Sequence, residues 1–116
     1  YGGLTALTMG GAQAMMPEGV TGTQRQPRVA AVVAFSPPGI TPPLIDLAGY
    51  AKLAVPAFIQ TGDRDVPRFA QSRHAAGLMP HGRFVPLPGR SHASTLSPAQ
   101  DVLAEVLPFL DAPWPR

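Results

Sequence analysis

The sequence predicts an α/β domain, a parallel three-layer sheet with helices on both faces. Short, unbroken apolar runs are the mark of strands covered on both sides. Here they alternate along the chain with helical segments, and that order requires crossover connections and parallel strands. The composition agrees, with 45% hydrophobic and only 14% charged residues, against ~25% charged in an average domain. The chain therefore has a core to bury, while 12 glycines and 15 prolines give it many turns. Its 116 residues suit a single domain over 1–116.

The elements follow in order. Residues 4–16, rich in Ala, Leu and Met and stopping before Pro17, read as a helix that Gly10 and Gly11 weaken. Pro17, Gly19, Gly22 and Pro27 mark 17–28 as a loop. Residues 29–35, Val-Ala-Ala-Val-Val-Ala-Phe, form an unbroken apolar run and read as a buried strand ending at Ser36-Pro37-Pro38-Gly39. A short turn or helix fits 44–53, and 56–61 reads as a second buried strand running into Gly62-Asp63-Arg64-Asp65. Pro67 suits the first turn of a helix over 67–79. Residues 83–87 make a third strand whose Pro86 favours an edge or strand end. Ser97-Pro98-Ala99-Gln100 has the form of a capping box. It opens a helix with Val102, Leu103, Val106, Leu107 and Leu110 at helical spacing, which Pro108 is expected to kink or end. Three strands make a thin parallel sheet, so part of a larger one is expected.

Composition excludes several classes. The net charge is +2, and the arginines are dispersed, without the basic stripe that nucleic-acid binding needs. The absence of cysteine rules out disulfides, thiolate zinc sites and a cysteine nucleophile, and leaves the compartment undetermined. The longest apolar run is far short of the ~18 residues of a membrane span. Gly2, Gly3, Gly10 and Gly11 fit no phosphate-loop pattern and read as sites of close helix packing. No cofactor is implied.

In open parallel sheets, ligands gather beyond the carboxyl ends of the strands. There the second strand is followed by Gly62-Asp63-Arg64-Asp65 and the third by Gly89-Arg90-Ser91-His92. An acid and a histidine at adjacent strand ends are the acid and base of a nucleophilic triad. Asp65 could instead cap the following helix, and Asp63 is a rival acid. His74 lies within a predicted helix and His81 in a Pro-His-Gly turn, so both read as surface residues. Ser91 sits in a near-match to a nucleophile elbow, but no histidine follows His92, and it reads as a loop residue.

The ordered set of strand 29–35, Gly62-Asp63-Arg64-Asp65 and Gly89-Arg90-Ser91-His92 resembles the C-terminal portion of an α/β-hydrolase fold. The likeness is nearest to dienelactone-hydrolase-like and acetylhydrolase-like esterases with little or no cap. In that family a Gly-x-x-Asp turn carries the triad acid and a Gly-x-x-His turn the base, which implies Asp65 and His92 as catalytic residues. Tyr1-Gly2-Gly3 before a helix resembles the end of the Gly-x-Ser-x-Gly elbow. On that alignment the nucleophile serine immediately precedes Tyr1, whose backbone N–H is an oxyanion donor. The chain is expected to be a fragment, inactive on small-molecule esters by itself and prone to aggregate along strand 29–35. Phe35 and Pro37, with Pro38 and Ile40, are candidates for a substrate pocket. Two other readings stay open: a dehalogenase or lyase on the same fold, or a non-catalytic α/β ligand-binding module.

Overall fold

The computed structural model describes residues 2–16, 18–19, 22–94 and 99–114. Its elements follow the predicted order: α1 (Gly2–Met9), β1 (Val32–Phe35), α2 (Leu47–Ala51), β2 (Ala57–Gly62), α3 (Arg68–Leu78), β3 (Gly82–Leu87) and α4 (Ala99–Asp111). The strands form one parallel sheet in the order β1-β2-β3. Val32 lies opposite Ala57, which in turn lies opposite Gly82.

Alternating strand residues feed two cores. On one face Val32, Ala34, Ala57 and Ile59 pack beneath Leu4 and Leu7 of α1, Tyr50 of α2 and Ala75 and Ala76 of α3. On the other, Phe58 and Leu87 pack with Val33, Phe35 and Val85 beneath Val102, Val106 and Phe109 of α4. This is a generic three-layer α/β arrangement. The central strand β2 is buried over its whole length, its polar Gln60 and Thr61 included, as a strand covered on both faces and paired on both edges must be. Phe58 is fully buried, with its ring centroid 5.3 Å from that of Phe109. Truncating such a residue costs ~3–5 kcal/mol, so this contact, with Val102 and Val106, helps hold α4 to the sheet.

Several boundaries differ from the sequence expectation, among them the short helix, which covers Leu47–Ala51 instead of 44–53. The first helix stops at Met9 instead of reaching residue 16. Gly11 takes φ +118, and the N–H groups of Gly11 and Ala12 turn back to the carbonyls of Thr8 and Leu7. Glycine is the residue that adopts this helix-ending conformation without strain. Gly10 also has no room for a side chain, because a Cβ there would meet Val32 Cγ2 at 2.6 Å. The first strand is four residues, not seven, because its pairing with β2 begins where Val32 N–H donates to Pro56 O. Helix α4 accommodates Pro108 in its interior and runs on to Asp111. The Ser97 and Pro98 of the expected capping box lie outside the described residues. Pro86 falls in β3, which is an edge strand of the sheet, where the missing N–H costs no ladder bond on the solvent side.

Candidate functional site

The turns that follow β2 and β3 are joined backbone to backbone. Asp63 N–H donates to Leu87 O at 3.1 Å, and Arg64 N–H to Arg90 O at 2.9 Å. The Asp63 carboxylate accepts the Gly89 N–H at 2.9 Å. Gly62 permits this approach, since a Cβ at that position would stand 2.1 Å from Arg90 O. Gly89 turns the chain at φ +73, a conformation that side chains beyond glycine rarely take. The Arg90 guanidinium reaches Asp101 in the first turn of α4 at 2.5 Å, tying the second turn to the helix after it.

His92 and Asp65 meet across these joined turns. His92 Nδ1 lies 2.7 Å from Asp65 Oδ2. The Asp65 side chain is 6% exposed and that of His92 is 70% exposed, so the acid is the anchored member and the imidazole the presented one. An ionised carboxylate only accepts, so Nδ1 is the donor in this contact and Nε2 is the ring nitrogen not engaged by Asp65. Asp65 does not cap α3: the N-cap there is Pro67, with no side-chain hydrogen bond. Its backbone carbonyl accepts the Phe69 N–H at 2.7 Å, while its carboxylate serves His92. Asp63 is engaged with Gly89 and leaves the imidazole to Asp65.

His92 opens on a cleft of about 460 Å³ at the carboxyl end of β1. Gly2 and Gly3 of α1, Phe35, Ser36, Leu44 and Arg68 also line it. Among the described residues no carboxylate lines it, so Arg68 gives the cleft a positive wall. The loop after β1 is held from beneath: Ser72 Oγ donates to Pro37 O at 2.8 Å, and Tyr50 Oη donates to Pro38 O. Burial pushes the Tyr50 hydroxyl up to about 12, with Arg68 pulling weakly the other way. These two buried donors fix the wall before any ligand arrives.

The candidates from sequence divide accordingly. Phe35 and Pro38 line the cleft, whereas Pro37 is fully buried beneath it and Ile40 points elsewhere. Tyr1 lies outside the described residues. His74 is exposed on α3, and His81 lies before β3 at the opposite end of the sheet. Ser91 hydrogen-bonds Ser94 through their hydroxyls at 3.0 Å. Sequence reasoning missed Ser36, a cleft residue with φ 50 and a buried hydroxyl that has no hydrogen-bond partner among the described residues. It also missed Arg68, whose only signal was its place one turn beyond the acid. Among the described residues, no group of three or more His, Asp or Glu could hold a metal ion. No helix among them is long and apolar enough to cross a membrane. No model of a known protein family matches this sequence, and no curated protein matches it.

Proposed function

We propose that the chain is the C-terminal part of an α/β-hydrolase acting on carboxylic esters, with Asp65 and His92 as the acid and base of its triad. The observation that carries this reading is the 2.7 Å contact of a buried carboxylate with Nδ1 of an exposed histidine beside a cleft. A triad histidine needs that polarity, with one nitrogen held by the acid and the other left for the nucleophile. The resemblance of the two glycine-led turns to this family's acid and base turns supports it.

In this mechanism a serine before Tyr1 gives its proton to His92 Nε2 as its oxygen attacks the ester carbonyl. Asp65 holds the imidazole in the useful tautomer and stabilises the imidazolium. The Tyr1 N–H donates to the oxyanion. Collapse expels the alcohol with the proton from His92. Water, deprotonated by the same nitrogen, then releases the carboxylic acid and restores the serine.

Nitrophenyl acetate and butyrate assays on this chain and on the protein extended upstream test the proposal. Activity should belong to the extended protein alone and be lost in its His92→Ala and Asp65→Ala variants. Ester hydrolysis by the 116-residue chain that survives His92→Ala would overturn it.

A further inference from the structure

We infer that the groove between the start of β3 and the end of α4 is a second site, one that takes a small planar aromatic carboxylate. It lies at the opposite end of the sheet from His92, since the carbonyl of its residue His81 accepts the Ala57 N–H at the start of β2. Its volume is about 650 Å³, within the ~300–1,000 Å³ typical of small-ligand sites. Pro80, His81, Arg83, Phe109, Pro113 and Trp114 form its walls.

Two features of the lining select the ligand. The first is aromatic surface held in place. Trp114 stands edge-on to His81, with ring centroids 4.8 Å apart and planes at 71°, yet remains half exposed. Phe109, only 3% exposed and packed on Phe58, closes the floor of the groove. Such rings favour a flat, apolar guest by stacking or edge contact. The second feature is charge. Among the described residues Arg83 lines the groove and makes no ion pair, and none of them brings a carboxylate to its lining. A guanidinium fork matches a carboxylate in two parallel hydrogen bonds. A neutral ring would leave Arg83 unused, and an aliphatic acid would leave the rings uncovered. An aromatic carboxylate uses both.

Trp114 is the chain's only tryptophan, so its emission reports on this groove alone. Titrating the chain with benzoate, benzyl alcohol and acetate tests the inference. Benzoate should change the emission saturably at millimolar concentrations, with the other two weaker by about tenfold or more. Arg83→Gln should weaken benzoate by a similar factor, and Arg83→Lys, which keeps the charge and loses the fork, should fall between. Both variants alter an exposed strand residue, and an unchanged far-UV spectrum checks their fold. The absence of a saturable change, equal response to the three probes, or wild-type affinity in folded Arg83→Gln would overturn the site.

Discussion

Replacing Gly62 with alanine should damage both the fold and the candidate site, and the size of the effect follows from one close approach. An added Cβ would stand 2.1 Å from the carbonyl oxygen of Arg90, 2.6 Å from its carbonyl carbon and 2.8 Å from its Cβ. Ordinary contact begins at 3.4 Å, so the Arg90 backbone must withdraw by about 1.3 Å, the difference of 3.4 and 2.1. Overpacking of this kind costs roughly 1–3 kcal/mol. Losing the Arg64 N–H to Arg90 O bond adds about 1 kcal/mol. A total of roughly 2–4 kcal/mol is a large part of the ~5–15 kcal/mol that holds such a domain together. His92 lies two residues beyond Arg90. A shift passed on in full would stretch its 2.7 Å contact with Asp65 to about 4.0 Å, which is no longer a hydrogen bond.

Urea denaturation measures the first effect and the ¹⁵N resonances of the His92 ring the second. Gly89→Ala is the control. A Cβ at Gly89 meets open space, so that variant carries only the strain of its φ of +73, of order 1–3 kcal/mol, and displaces nothing. The expected outcome is a clear stability loss in both variants, with the His92–Asp65 contact broken only in Gly62→Ala. A Gly62→Ala protein within about 0.5 kcal/mol of wild type, or one with its His92 contact intact, would refute the reasoning.

Asp65→Ala should move the His92 ring proton from Nδ1 toward Nε2, the form that free imidazole prefers, and ¹⁵N spectra of the ring would show it; an unchanged tautomer would mean the carboxylate does not set it. Because burial raises the Tyr50 hydroxyl from 10.0 to about 12, the folded state holds a proton that the unfolded chain has released between those values. Stability should therefore be fully present below pH 10 and fall as pH rises toward 12, up to tenfold per pH unit in the folded-to-unfolded ratio. Tyr50→Phe should flatten that slope, and an equally steep decline in the variant would contradict it. In β1 the N–H groups of Val32 and Ser36 donate to Pro56 and Gln60 of the neighbouring segment. Those of Val33 and Phe35 accordingly face the open edge of the sheet, and in hydrogen exchange they should lose protection well before Val32 and Ser36. Equal protection of all four in a monomer would show that the edge is covered.

Much of the fold was legible because burial leaves a one-dimensional trace. The unbroken apolar run of 29–35 marked β1, the shorter run before Gln60 marked the buried β2, and α4 has the clearest helical spacing, with Val102, Val106 and Phe109 inward. Strand and helix ends were less legible, because they are set by partners. Nothing local distinguishes Val29 from Val32; only the place where β2 begins does. In the same way Pro37 and Pro38 are adjacent and alike in sequence. Ser72 and Tyr50, far along the chain, hold their carbonyls and leave one proline under the cleft and the other in its wall.

The two glycines that lead the site turns look equivalent in sequence and act by different physics. Gly62 has an ordinary backbone conformation and no space, and it is required because the neighbouring turn lies where its side chain would be. Gly89 has open space and a backbone angle that other residues resist. One glycine allows the turns to touch, and the other bends the second turn so that Asp63 can hold its N–H. Each motif alone would occur by chance in many loops. Their pairing across adjacent parallel strands carries more information, since it requires both an acid and a histidine at the same edge and a way for their backbones to meet. The sequence displays the residues of that pairing and its order. The close approach that joins Asp65 to His92 is visible only once β2 and β3 lie side by side.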